Sequence, residues 1–376
     1  MTEQVKTNPL GTQPVGKLLQ QFAVPSIIAM IVSALYNIVD QFFIGRAVGE
    51  LGNAATNIAF PLSISCIATA LLFGIGGASA FNLSMGKGKK DEAANYIGNA
   101  IILLFSCGVV LLLITQLFLT PMLKLFGSPD NVLEYASIYT RITSFGFPFL
   151  IVATGSGNII RADGSPKFSM TCNLVGAIIN TILDAIFVFG FNMGMAGAAY
   201  ATIIGQIVSG LMALYYLRNF KTVQLKKENF LLKWKCVSKT ATLGASPCIN
   251  QLSMMLVQII MNKSLTHYGA LSAYGASVPL ACAGIITKIN QFYFSVVIGI
   301  SQGLQPIVSY NYGARKYGRV KKACLLACAW SLGISVVAFI AFFFFPRQII
   351  SIFGNGSDAY FDFAVMYFRV FLFFRF

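Results

Sequence analysis

Apolar residues in this chain come in long, nearly unbroken runs, with neither a narrow helical stripe nor a strict alternation. Ten runs recur, near residues 21–45, 57–85, 95–120, 135–158, 168–192, 195–217, 240–265, 271–300, 323–346 and 359–376. Each is long enough to cross a hydrocarbon layer of ~30 Å as a helix, since about 20 residues suffice at 1.5 Å per residue. The period-two alternation of a transmembrane barrel is too weak. The pattern therefore predicts an all-α polytopic membrane protein. The last run, FAVMYFRVFLFFRF, ends without a polar tail, so the second half is expected to be truncated after about ten helices.

Composition sharpens this picture. Of 376 residues, 56% are hydrophobic and 10% charged, far from the roughly 25% charged of a soluble domain; a soluble enzyme is excluded. One histidine, His267, leaves no cluster of imidazole ligands for a catalytic zinc. The MGKGKK stretch at 85–90 lacks the upstream glycine and the following Ser or Thr of a phosphate-binding loop, so no ATP-driven pump and no organic cofactor are expected. The eight cysteines lie mostly inside apolar runs, where they act as small hydrophobes. About twenty mostly polar residues precede the first run without a cleavage-like end after it. The N-terminus is expected to stay uncleaved in the cytosol.

The net charge of +15 would suggest nucleic acid in a soluble protein. Placed on the predicted spans it reports topology instead. Nineteen of the 27 Lys and Arg fall on the N-terminus and the even-numbered loops, and four (Arg46, Lys124, Lys263, Arg347) on the odd-numbered loops. Cytoplasmic loops carry such an excess. The N-terminus is thus expected inside, the basic face beside anionic lipid, and no nucleic-acid partner.

The longest polar connection, 218–239, divides residues 1–217 with six spans from 240–376 with four. Pro25 matches Pro247 at an offset of 222, Gly52 matches Gly269 at 217, Pro61 matches Pro279 at 218 and Gly86 matches Gly313 at 227. A repeat of six spans, an even number, keeps both copies in one orientation, as in transporters whose halves are related by an axis along the membrane normal.

Ionisable groups at membrane depth mark function by default, and few exist here. Asp40 ends a polar stripe that includes Ser33 and Asn37. On the fifth span Asn173, Asn180 and Asp184 share a face, with Gly176 and Ala177 letting a neighbour approach. Thr202 and Gln206 on the sixth span and Tyr139 and Thr143 on the fourth make shorter stripes. If these converge, two carboxylates in a poorly hydrated pocket cannot both remain bare anions. One takes a proton, or the oxygens ligate Na⁺. In the later spans Asn262 stands at the offset counterpart of Asp40. Lys288, sharing a face with Gly284, Gln291 and Ser295, either lines a cavity or serves as a structural counter-charge. Met254, Met255 and Gln258, with Asn262, Lys288 and Gln291, are candidates for the substrate cavity, as are Asn37 and Gln206.

Four strings together resemble the multidrug and toxic compound extrusion (MATE) family, especially its MepA-like bacterial branch. They are YNIVDQFFIG (36–45), RADGSPKFSM (161–170), NTILDAIFVFGFNMGMAGAAYATIIGQ (180–206) and SQGLQPIVSYNYGAR (301–315). The resemblance implies a MATE-like fold of two six-helix lobes in a multi-pass protein of the bacterial cell membrane. It also implies exchange of H⁺ or Na⁺ for amphipathic, often cationic drugs by alternating access, by a chain that works as a monomer. It places ion coupling on Asp40, Asn180, Asp184, Tyr139 and Thr202, with Na⁺ held by Asp40, Asn180, Asp184 and Thr202, and gives Pro25 a role in bending the first helix. This sequence departs from some members in having no acid on the seventh span, and Asp362 does not fit their second acidic position. The alternatives are a flippase for a lipid-linked precursor, which would need several cavity cations, and a channel or non-transporting scaffold.

Overall fold

The computed structural model describes residues 8–351 except 129 and 272–276, together with 362, 365–367 and 369–370. With no water in a hydrocarbon layer, backbone polar groups must pair within their own segment, and apolar runs of this length resolve as helices. A short α1 (Pro9–Thr12) leads into α2 (Val15–Val48), α3 (Glu50–Gly86) and α4 (Lys90–Leu117). Then follow α5 (Leu119–Leu125), α6 (Asp130–Thr143), α7 (Phe147–Ala162), α8 (Pro166–Asp184), α9 (Gly194–Arg218), α10 (Trp234–Ala270), α11 (Ser277–Gly313), α12 (Tyr317–Phe344) and α13 (Pro346–Ser351). Among the described residues nine helices are long and apolar enough to cross a membrane, and the protein is an all-α polytopic membrane protein. The tenth expected span, 359–376, lies largely outside the described residues.

Three boundaries differ from the hydropathy reading. The first membrane helix starts at Val15, before the predicted 21, because Val15, Leu18 and Leu19 pack into a core with Ile300, Ile307, Ala323 and Ala327. The fourth span is interrupted by a 3-10 turn at Ser144–Gly146, which Gln116 of α4 secures by donating to the Arg141 carbonyl and to Ser144 Oγ, both at 2.8 Å. The eighth span runs on to Gly313 instead of ending near 300. Its polar residues Gln302 and Gln305 find partners on the first two long helices: Gln305 Nε2 donates to Ser79 Oγ at 2.8 Å and Gln302 Nε2 reaches Met30 Sδ at 3.8 Å.

Helices α2 and α3 pack against α11 and α10, and glycines set how closely. At Gly76 an added methyl would strike the Thr240 carbonyl, and at Gly244 the Leu72 carbonyl, so α3 and α10 meet backbone to backbone. Gly86 and Gly313 do the same for α3 and α11, and Gly299 and Gly303 seat α11 on Ile27 and Ala23 of α2. Small residues are the usual means of bringing helices together in lipid, where burial of apolar surface gives no drive. These crossings all fall toward the end that carries the N-terminus and the basic loops. There α1 is tied down as well: Asn311 Nδ2 donates to the Leu10 carbonyl at 2.9 Å, Lys316 Nζ to the Gly11 carbonyl at 2.9 Å, and Arg319 to the Leu10 and Gln13 carbonyls.

Residues 218–239 are fastened rather than slack. Asp163 accepts hydrogen bonds from Tyr216 Oη (2.7 Å), the Lys221 and Thr222 N–H groups (2.8 and 3.0 Å) and Thr222 Oγ1 (2.6 Å). Burial pushes the Asp163 carboxyl up from its ordinary range, and these four donors pull it back in part. Beside it the buried Arg161 guanidinium donates to Asn158 Oδ1 at 2.7 Å and Ser169 Oγ at 2.9 Å. The string RADGS thus holds the α7–α8 corner and the chain that leaves α9.

Candidate functional site

The close crossing of α8 and α9 positions the site. A methyl at Gly176 would strike Ser209 Oγ and the Gly205 carbonyl, and one at Gly205 would meet Asn180, so the two backbones run in contact. This brings Asn180 and Asp184, on one face of α8, against Thr202 of α9. Oriented to suit its partners, the Asn180 amide donates to Asp184 Oδ2 at 3.3 Å and accepts from the Thr202 N–H at 3.1 Å. Asp184 is the last α-helical residue before a π-helical turn, Ala185–Gly190, a local widening frequently found at functional sites. Phe189 of that turn packs on Phe43 of α2 with ring centroids 5.5 Å apart.

Asp40 reaches the same place from α2. It is 8% exposed and Asp184 0%, Asn180 is 2% exposed, and each carboxylate keeps a buried Oδ1 with no partner in the protein. Asp40 and Asp184 lie within direct electrostatic reach of one another. Tyr139 of α6 stands beside Thr202 and shares the electrostatic neighbourhood of both acids. The structure therefore brings together all five residues expected to act on an ion: Asp40, Tyr139, Asn180, Asp184 and Thr202. It adds Tyr36, in the electrostatic neighbourhood of both carboxylates. Sequence reading passed over Tyr36 although it stands one helical turn before Asp40, the spacing that puts two side chains on one face.

The remaining candidates are scattered. Asn37 is exposed and donates to the Ser33 carbonyl of its own helix at 2.7 Å. Gln206 presses its Oε1 against Gly146 in the 3-10 turn. Met254 is exposed, Met255 half-buried, and Gln291 exposed. Pro25 is buried in α2 between the positions crossed by Gly303 and Gly299, and the helix continues through it. The side chains of Gln258, Asn262 and Lys288 lie outside the described residues, and Asp362 is exposed. Among the described residues no three His, Cys, Asp or Glu side chains converge as a metal cluster.

The acid pair is far from the basic end. Asp184 stands 18 residues along α8, about 27 Å from its start at 1.5 Å per residue. Two buried carboxylates, each with an unpartnered oxygen, repel one another as bare anions and are stabilised by a proton or a cation.

The MatE family profile matches residues 25–186 and 247–376. The chain belongs to the MatE family. Multidrug export protein MepA of Staphylococcus aureus strain MSSA476 is 26% identical over 347 residues, covering 92% of this chain and 75% of that protein. MepA of Staphylococcus saprophyticus is likewise 26% identical over 350 residues, 91% of this chain and 74% of that one. Among solved structures, a MOP superfamily transporter from Pyrococcus furiosus superposes with a TM-score of 0.89 at 23% identity, covering 99% of this chain and 82% of that chain. An outward-facing multidrug resistance MATE transporter gives 0.89 at 22% identity with the same coverage. The fold is that of the MatE family, whose members are multidrug efflux transporters and not enzymes. They couple to ions and use no cofactor.

Proposed function

We propose that this MatE protein is a secondary antiporter that exports amphipathic, cationic compounds in exchange for H⁺ or Na⁺ by alternating access. The observation that carries the reading is the pair of buried carboxylates, Asp40 on α2 and Asp184 on α8, with Asn180, Thr202, Tyr139 and Tyr36 around them on four helices in all. An anionic site suits a small cation or proton. A carrier of lipid-linked pyrophosphate would need the opposite sign. The family profile begins its two matches at Pro25 and Pro247, which supports two lobes in parallel repeat joined by residues 218–239. With the N-terminus and basic loops in the cytoplasm of a bacterial cell, the glycine crossings close the inner side, and the acid pair lies in the outer half. That is the arrangement of an outward-facing state awaiting its ion.

The energetics suffice. One proton entering down ~100 mV releases about 2.3 kcal/mol, enough for roughly a fiftyfold gradient of a neutral solute. The test is substrate flux in proteoliposomes with pH and Na⁺ gradients imposed separately. One of the two gradients should drive uptake into inverted vesicles, and Asp40→Asn and Asp184→Asn should each abolish that drive in folded protein. Undiminished driven flux in both variants would overturn the assignment of the ion to this pair.

A further inference from the structure

Residues 226–239, KKENFLLKWKCVSK, form no part of the ion site, yet they are built with care. Asn99 of α4 is fully buried, and its side chain is spent on this segment. Its Nδ2 donates to the Asn229 and Leu231 carbonyls at 3.1 and 3.0 Å, and its Oδ1 accepts from the Lys233 N–H at 2.8 Å. Asn95, one turn earlier, accepts on Oδ1 from Asn229 Nδ2 at 2.9 Å and from Lys233 Nζ at 3.1 Å. Gly98 between them lets the Asn229 carbonyl approach so closely that a methyl there would collide. The 3-10 turn Lys227–Phe230 is thereby pinned to α4 at its backbone.

Pinning has a consequence for what faces outward. Leu231 is 65% exposed, Leu232 56% and Trp234 82%, and their exposure follows from a fixed backbone, not from slack chain. Lys226, Lys227 and Lys235 are exposed around them, and the 218–239 connection holds seven Lys and Arg against one acid, Glu228. Trp234 begins α10, the next membrane helix, so the cluster stands where a helix leaves the bilayer. Indole rings favour that level, and lysines there meet phosphate.

We propose that the Lys226–Lys239 segment is a fixed interfacial site for an anionic phospholipid. Lys226, Lys227 and Lys235 would pair with its phosphate and headgroup charge, and Leu231, Leu232 and Trp234 would enter the upper acyl region. Lysines alone would suit any anion. The apolar trio beside them selects one that carries hydrocarbon. The turn is tied to α4, whereas α10 departs from its end toward the other helices, so the bound lipid would sit at the joint between the two matched halves of the chain.

The chain has two tryptophans, Trp234 and Trp330, which makes the site directly readable. The 376-residue chain with Trp330→Phe is placed in nanodiscs of phosphatidylcholine and phosphatidylglycerol at fixed proportions. In parallel samples the acyl bromines are carried by one lipid or by the other. Brominated phosphatidylglycerol should quench Trp234 about twofold or more beyond brominated phosphatidylcholine at equal mole fraction. The combined Lys226→Gln, Lys227→Gln and Lys235→Gln variant should lose that preference while its indole remains quenched by both. Trp234→Phe in the unaltered background supplies the Trp330 signal and gives the same comparison by difference. Equal quenching by the two lipids, an unquenched indole, a preference that survives the lysine changes, or a preference removed by millimolar inorganic phosphate would each overturn the proposal.

Discussion

At the basic end, α3 and α10 touch backbone to backbone at Gly76 and Gly244, and asparagine, lysine and arginine side chains tie α1 to the α11–α12 corner. At the far end of the first six spans, Asp40 and Asp184 each keep a buried oxygen without a partner. One end is held by backbone packing and long-range hydrogen bonds, and the other leaves the charge of two buried carboxylates unanswered. A close-packed contact has a definite geometry and can be made or broken as a unit. An unsatisfied carboxylate pair has a definite appetite and responds to an ion. The alternating access proposed for this chain needs both devices, and they are separated along α2, which runs through both, with Ala23 and Ile27 under the glycines and Asp40 in the site.

The closed basic end depends most on its glycines. Gly76→Val or Gly244→Val would force backbone away from backbone where α3 meets α10. Overpacking costs about 1–3 kcal/mol, roughly a 5- to 150-fold shift away from the closed basic end. Driven export should fall accordingly, and a thiol reagent applied on the basic side should label Ser79→Cys, whose position faces Gln305, faster than in the parent. Unchanged labelling would show that this crossing does not govern closure.

A smaller effect is expected where polar groups are satisfied but take no part in gating. Asp163→Asn keeps the size of the side chain yet turns an amide nitrogen toward N–H and O–H donors at the Tyr216–Thr222 corner. Leaving buried donors without an acceptor costs about 1–3 kcal/mol. The midpoint of thermal unfolding in detergent should drop by several degrees. Ion-driven flux per folded molecule should stay within about twofold, since a ΔΔG confined to stability leaves the transport barrier alone. A normal midpoint with lost flux would move Asp163 from the scaffold to the transport cycle.

Much of this was legible in the chain, for reasons that differ by residue. Apolar runs announced the helices because a bilayer leaves a backbone few choices. Asn180, Asp184, Thr202 and Tyr139 were found because polar residues at helical spacing in an apolar run have few explanations other than a site. What escaped depends on partners distant in sequence. The eighth span was ended too early because Gln302 and Gln305 look like loop until Met30 and Ser79 are placed beside them. Residues 218–239 read as a polar linker because nothing local reveals that Asn95, Asn99 and Asp163, more than fifty residues away, hold them. The π-helical turn after Asp184 left no mark in the sequence at all.

The stripe on α2 offers the finest test. The sequence pattern favoured Asn37, whereas the structure leaves Asn37 exposed on its own Ser33 carbonyl and puts Tyr36 near both acids. Tyr36→Phe removes one hydroxyl and keeps the ring. A hydroxyl in the electrostatic neighbourhood of both carboxylates contributes about 1 kcal/mol, so the apparent affinity for the driving ion should change roughly fivefold, read from the pH or Na⁺ concentration that half-saturates counterflow. Asn37→Ala should leave that value within about 1.5-fold, because its amide serves only its own helix. If Asn37→Ala shifts the half-saturation point and Tyr36→Phe does not, then α2 turns its other face to the site when the ion binds. The difference between the two ends would then be a property of one state of the cycle instead of a fixed division of labour.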